Sequence, residues 1–337
     1  MTCALVTGAA GFIGSHLCEA LLARGCEVRG LDAFTAFYDP HIKHRNLEHL
    51  SGSARFELVR GDLLEVPLPE LLDGVDVVAH LSGEPGVTTS WGGSFARYLD
   101  RNVLATQRLL EAASRCPLTR FVYASSSSVY GAGAWPSGVT GEPRPASPYG
   151  VSKLAAETLV GAYAHSHGLP AVSLRYFSVY GPRQRPDMAA HRFIEAVLDG
   201  RPLQLFGDGS QVRDFTYVDD VVDATVRALF VGLPPGAVLD VASGQPASVT
   251  TLISHIRSLV GEDLAPFQQL DERPGDVPRT AGRITTTRQS LGWAPRTGLR
   301  TGLHRQVNWH QDRRDRATAR VPAGVHYEQP LLRASGA

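Results

Sequence analysis

Along the first 177 residues, short apolar runs rich in β-branched side chains alternate with stretches whose apolar positions recur at helical period. The runs at 4–7 (ALVT), 27–32 (EVRGLD), 56–62 (FELVRGD), 75–81 (VDVVAHL), 120–126 (RFVYASS) and 171–177 (AVSLRYF) read as strands. Helices are predicted from the first glycine turn to about Arg24, through NVLATQRLLEAA, and from Tyr149 onward. Alternation of this kind predicts an α/β fold, a doubly wound parallel sheet covered on both faces. Beyond about Gly181 the pattern loosens into segments punctuated by Pro and Gly, with helices near 189–199, 218–231 and 249–260. We read residues 1–178 as one domain, with 215–242 returning to it, and 179–214 plus 243–312 as a smaller α/β lobe. The tail, 313–337, has no sustained apolar period and is expected to be loosely ordered.

Composition narrows the classes. The 337 residues are 43% hydrophobic and 20% charged, ordinary for a globular chain able to bury a large core. Formal charge is zero and no basic block stands out, so neither nucleic acid nor an anionic membrane is expected as a partner. The N-terminus enters a strand-like run at once, and no stretch of about 18 apolar residues occurs, which predicts a cytoplasmic protein. Cys3, Cys18, Cys26 and Cys116 lack metal-ligand spacing and read as reduced packing residues, with no metal site implied. Of the 33 Lys and Arg, only Lys43 and Lys153 are lysines, which singles out Lys153.

The first candidate chemistry lies in TGAAGFIGSHL, where Gly8, Gly11 and Gly14 sit between the first strand and an amphipathic helix. Glycines there allow a tight turn, close approach of a pyrophosphate to backbone, and close packing of helix on strand, the fingerprint of a Rossmann-type dinucleotide site. Asp32 ends the second strand, where a carboxylate accepts hydrogen bonds from the adenosine ribose and repels a 2′-phosphate. NAD is therefore expected over NADP. Asp62, after the third strand, is a candidate for the adenine edge or, alternatively, a helix cap.

A second constellation is SPYGVSKLAAETL, in which Tyr149 and Lys153 stand at i and i+4 on one helical face. A free tyrosine is only about one part in a thousand ionised at neutral pH, and bringing its pKa to 7 requires roughly 4 kcal/mol. A neighbouring lysine and a nicotinamide cation could supply it.

With these motifs together the chain resembles the extended short-chain dehydrogenase/reductase superfamily, in its nucleotide-sugar branch. The likeness covers about residues 3–310 and rests on TGAAGFIG, Asp32, Asp62, NVLAT with Asn102, SSSSVYG, YGVSK, RYFSVYGPRQRPDM, FGDGSQVRDFTYVDDV and ERPGD. The resemblance implies that Ser126 orients the sugar O4, Tyr149 shuttles its proton, and Lys153 holds the nicotinamide ribose and lowers the tyrosine's pKa. It further implies that Phe12, Ile13, Leu81, Ser82 and Tyr176 border a tightly held NAD, regenerated at each turnover, and that Pro85 borders the sugar.

Removing a hydride from C4 makes a 4-keto sugar, and the residues after Ser126 bear on its fate. Dehydratases of the superfamily carry an acid pair there and decarboxylases a glutamate, whereas this chain has Ser127 and Ser128. Hydroxyls can bind a sugar but cannot act as a base near neutral pH. Epimerisation at C4 remains. The segments DAFTAFYDPHIKHRNLEHL and SVYGPRQRPDMAAHRFIEAV resemble those of UDP-glucuronate 4-epimerases more than those of hexose 4-epimerases. Ser178 follows RYF, and Arg185 and Arg192 offer forks that match a carboxylate. A 4-keto uronate is a β-keto acid, prone to lose CO2 when its carboxylate bond stands perpendicular to the ketone plane. Ser178, backbone N–H groups and Arg192 are expected to hold it out of that alignment.

By the same resemblance Arg213 and Arg273 bind the diphosphate, Asp276 the uridine ribose, Phe206 walls the uracil, and Gln211 is a further substrate-binding residue. A homodimer through helices near 97–113 and 149–165 is also implied. A 4-epimerase of neutral UDP-hexoses, a UDP-glucuronate decarboxylase and a non-catalytic NAD-responsive regulator stay open, because a fold does not fix a function.

Overall fold

The structure, a computed structural model, describes residues 1–132, 142–261 and 266–319. In chain order the elements of the first half are β1 (Cys3–Thr7), α1 (Phe12–Ala23), β2 (Glu27–Asp32), α2 (Pro40–Leu47), β3 (Phe56–Arg60), α3 (Leu68–Leu72), β4 (Val77–His80), α4 (Phe95–Tyr98), α5 (Ala105–Ala113), β5 (Arg120–Ser126), α6 (Pro148–His167) and β6 (Ala171–Tyr176). A π-helical turn, Leu99–Leu104, joins α4 to α5. The second half contributes β7 (Val179–Tyr180), α7 (Ala189–Leu198), β8 (Leu203–Phe206), β9 (Val212–Arg213), β10 (Thr216–Tyr217), α8 (Val218–Phe230), β11 (Val238–Val241), β12 (Ala247–Ser248), α9 (Val249–Val260), β13 (Phe267–Leu270), α10 (Thr285–Leu291) and α11 (Leu299–Ala319).

Seven strands form one sheet in the order β11-β6-β5-β4-β1-β2-β3, and every pairing in it is parallel. Because side chains alternate across a strand, neighbours in sequence serve opposite cores. Val6, Val77, Ala79 and Val122 face a layer containing Leu17 and Leu21 of α1 and Val218 and Val221 of α8. Leu5, Val78, Phe121 and Tyr123 face Leu109 and Leu110 of α5 and Ala156 and Val160 of α6. Burial on both faces explains why these strands are near-continuous apolar runs with no polar alternation.

Chain order reverses between β1 and β4, the place where a parallel sheet of this winding leaves a crevice at its carboxyl edge. Short two-stranded ladders, β7 with β10, β9 with β12 and β8 with β13, gather the other strands of the second half. The expectation of a loose tail from residue 313 is corrected as far as Ala319, for α11 runs unbroken to that residue. Its polar face is held by charge: Arg313 and Arg314 pair with Glu195 of α7 at 2.9 and 2.5 Å. Such partners carry no apolar period. Residues 320–337 lie outside the described residues.

Candidate active site

The glycine turn opens the crevice. Gly8 takes φ +73°, and an added Cβ at Gly14 would lie 2.1 Å from the Gly8 carbonyl oxygen, so α1 meets β1 more closely than any side chain permits. No side chain caps α1, whose first-turn N–H groups are thus left for a ligand. Asp32, 4% exposed, lies at the end of β2 and accepts from the Ala10 and Phe34 N–H groups at 3.1 and 2.8 Å. Lys43 Nζ stands 2.8 Å from its Oδ1. That buried cation arrives from α2, a helix the apolar pattern does not reveal. Asp62 caps its own turn by accepting from Leu64 N–H, yet it also borders the cavity and lies 3.6 Å from Arg101.

One cavity of about 410 Å³ runs from Gly8, Gly11, Phe12, Ile13 and Gly14 past Asp32, Asp62, Leu81 and Ser82 to the catalytic candidates. At its far end it meets Pro85, Ser126, Ser127, Ser128, Tyr149, Lys153, Tyr176, Ser178 and Arg185. The turn, the unshared helix N-terminus and the ribose-side carboxylate fit a dinucleotide.

Local sequence places the candidate catalytic pair. Ser147 caps α6 by accepting from Gly150 N–H at 3.1 Å, and Pro148 occupies the first helical position. Tyr149 is thereby in the first turn and Lys153 one turn later. Ser126 ends β5, its Oγ accepting from Ser128 N–H at 3.1 Å, and it hydrogen-bonds Tyr149. Burial pushes the Tyr149 hydroxyl up, while the Ser126 bond and the Arg185 charge pull it back. Burial pushes the Lys153 amine down to about 7, against the raising charge of Glu157. Its Nζ lies 4.3 Å from the ring centre of Tyr123.

The run of four serines meets a cavity whose acids are already engaged. Among the described residues the carboxylates lining the cavity are Asp32, Asp62 and Glu84, and each faces a cation: Lys43, Arg101 at 3.6 Å, and Arg97 at 3.2 Å. Glu84, buried and unforeseen, also accounts for the Asn102 amide, which clasps its backbone N–H and carbonyl. The cavity-lining residues that adjoin Ser126 in the chain, Ser125, Ser127 and Ser128, carry only hydroxyls.

The two arginines separate. Arg185 borders the cavity with Ser178 and Tyr149, and Asp187 grips its guanidinium through two bonds of 2.9 Å. Arg192 is not among the residues lining the cavity. Its Nη2 donates to Gln204 Oε1 at 2.5 Å and its guanidinium lies 5.7 Å from the Phe206 ring centre. It joins the other nucleotide candidates instead. Arg273 covers the Phe206 ring at 3.2 Å, Gln211 Nε2 donates to the Phe206 carbonyl, and Arg213 pairs with Asp276. These six lie outside the cavity lining, but the Arg273–Asp276 loop reaches it, since a Cβ on Gly275 would lie 3.2 Å from Val87 Cγ1.

Comparison with known proteins agrees with this geometry. Residues 4–238 match the model of the NAD dependent epimerase/dehydratase family. An uncharacterized UDP-glucose epimerase of Bacillus subtilis (strain 168), YtcB, is 43% identical over 304 residues, covering 90% of this chain and 96% of the relative. The UDP-glucuronate 4-epimerase of Thermodesulfobacterium geofontis (strain OPF15) is 35% identical over 314 residues, 91% of this chain and 96% of its own. Among solved structures, the UDP-glucuronic acid 4-epimerase of Bacillus cereus, in complex with UDP-glucuronic acid and NAD, superposes with a TM-score of 0.90. It is 42% identical, over 92% of this chain and 99% of that one.

Proposed function

We propose, from the premise that the chain belongs to the NAD dependent epimerase/dehydratase family, that it is an NAD-dependent isomerase converting UDP-glucuronate to UDP-galacturonate. The reaction runs through a transient 4-keto sugar without loss of CO2. NAD, when bound, would supply a reversible hydride acceptor for the sugar. The chain's residues do the remainder. Ser126 orients O4 and Tyr149 takes and returns its proton, with Arg185 and the Ser126 bond favouring the ionised phenol. Lys153, on the same helical face, would hold the nicotinamide ribose. Ser127, Ser128, Ser178 and Arg185 receive the carboxylate.

The observation that carries this reading is the pairing of hydroxyls and one braced guanidinium beside Tyr149, with every cavity carboxylate already facing a cation. Among the described residues the cavity offers no unpaired carboxylate beside Ser126 and Tyr149, which disfavours elimination and assisted decarboxylation. A 4-epimerase of UDP-glucose is the second reading, favoured by the name of the Bacillus subtilis relative.

Support for a homodimer comes from Leu99, Leu104 and Val151, 42%, 47% and 45% exposed on the packed surface of α6 and the π-helical turn. We assign residues 1–178 with 215–242 to the cofactor domain and 179–214 with 243–312 to the nucleotide-sugar lobe. The pairing of β11 with β6 and the packing of α8 on α1 favour that division. No helix among the described residues is long and apolar enough to cross a membrane.

The test is NMR of the purified protein with UDP-glucuronate in D2O. UDP-galacturonate that keeps protium at C4, with no pentose, is the expected product. Pentose would refute the serine argument, and turnover of UDP-glucose alone would transfer the assignment to the second reading.

A further inference from the structure

Arg185 sits in a loop whose two preceding residues are bolted in opposite directions. Gln184, buried, accepts from His191 N–H of α7 at 2.9 Å and from Gln306 Nε2 of α11 at 2.8 Å, both on Oε1, while its own Nε2 donates to the Val179 carbonyl at 2.9 Å. Arg183 reaches the other way. Its Nη2 donates to both carboxylate oxygens of Glu19 at 2.8 Å, and its Nη1 to Ser15 Oγ at 3.1 Å. Ser15 and Glu19 belong to α1, the helix that springs from the glycine turn.

The backbone at Arg183 is left-handed, φ +63°, a conformation shared among the described non-glycine residues only with Phe34. Strain of this kind persists where the surroundings over-determine it. A glycine would adopt that φ freely, but it would lose the guanidinium whose Nη2 holds Glu19 and whose Nη1 holds Ser15, and a lysine would keep the charge without that pair of nitrogens. The side chain is 16% exposed, so the tether is shielded from much of the solvent screening that weakens surface pairs.

We propose that Arg183 is a positioning residue. By tying the Gly181–Met188 loop to α1, it sets where the Arg185 guanidinium stands against Tyr149 and the sugar. The cofactor helix and the recognition of the uronate carboxylate are thus mechanically joined, an inference that rests on the uronate reading for its substrate. Phe37, whose ring centre lies 5.8 Å from the Arg185 guanidinium, and Asp187 brace Arg185 locally, but neither links its loop to α1.

Calorimetric titration of the NAD-loaded protein with UDP-glucuronate and with UDP-glucose tests it, using wild type, Arg183→Ala, Arg185→Ala and the double variant. We expect Arg183→Ala to weaken UDP-glucuronate about tenfold and UDP-glucose less than about twofold, and the double variant to lose little beyond Arg185→Ala, as coupled neighbours do. Equal weakening for both sugars, or losses that simply multiply in the double variant, would overturn the proposal and leave Arg183 a staple between lobes. If Arg183→Ala does not fold, Arg183→Gly removes the tether and the strain together and is expected to show the same selective loss. The coupling can equally be read in kcat on whichever UDP-sugar turns over. A wild type indifferent to the carboxylate would therefore sink the uronate reading without deciding the role of Arg183.

Discussion

At the scale of the residue, chemistry that depends on local spacing was legible and chemistry that depends on distant partners was not. Tyr149 and Lys153 are one turn apart on α6, so the pair could be read from YGVSK. Tyr149→Phe removes the proposed proton shuttle and leaves the ring, and kcat is expected to fall by about 10²–10⁴ while bound NAD is retained, as stopped-flow and cofactor release would show. A regulator would be indifferent. The glycine turn is legible for the same reason. Gly14→Ala places a methyl 2.1 Å from the Gly8 oxygen, and urea unfolding should record a loss of about 1–3 kcal/mol, with NAD content reduced. Lys153 adds a dependence on pH. Burial holds its amine near 7 in the fold, against about 10.5 in an unfolded chain, so between those values the unfolded state binds more protons. Stability from this group therefore rises with pH from about 7, and below it the fold carries a buried charge. Melting curves should show wild type gaining on Lys153→Met as pH is raised from about 6 to 9. Arg185 and Arg192, by contrast, looked interchangeable in sequence, seven positions apart in one basic, Pro-containing segment. Asp187 and Phe37 hold the first toward Tyr149, and Gln204 and Phe206 hold the second toward the nucleotide candidates.

At the scale of the element, the seven strands and the helices on their faces follow from apolar period, because burial on both faces writes itself into composition. Elements fixed by polar contacts escape such a reading. Helix α2 has a largely polar sequence, PHIKHRNL, and is fastened by Lys43 on Asp32 and by Asn46 Nδ2 on the Ala10 carbonyl at 3.0 Å. The end of α11 is held by Glu195 in the same fashion. Asp214 plays this part for the second lobe. Fully buried, it accepts from Ser243 N–H at 2.7 Å and Ser243 Oγ at 2.5 Å on one oxygen, and from Gly244 and Gly282 N–H at 3.2 Å on the other. The acid in RDFTYVDDV thus gathers two loops onto the strand ladder. Asp214→Ala leaves buried N–H donors without an acceptor and should cost about 2–4 kcal/mol in urea unfolding. Asp214→Asn restores one oxygen but turns an amide toward two N–H donors, so it should rescue little of that loss.

At the scale of the molecule, the helix that carries Tyr149 and Lys153 and the exposed apolar surface are one piece of structure. Val151 lies between Tyr149 and Lys153 on α6, and α6 packs on the π-helical turn that carries Leu99 and Leu104. An α-helix turns 100° per residue, so a side chain two positions from Tyr149 leaves the opposite side of the helix. The residues that face the cavity and the residue that faces outward therefore share a rigid body. If a second copy of the chain covers Leu99, Leu104 and Val151, association stiffens α6 from behind and with it the placement of Tyr149. Leu104→Glu puts a charge into that surface without touching the cavity. Sedimentation should show dimer for the wild type and monomer for the variant, since an unpaired charge cannot be buried there without a cost of several kcal/mol. The monomer should keep its far-ultraviolet dichroism and bind NAD while turning over more slowly. Full activity in a monomer would separate the outer face of α6 from the work of its inner face, and a wild type that sediments as a monomer would remove the dimer altogether.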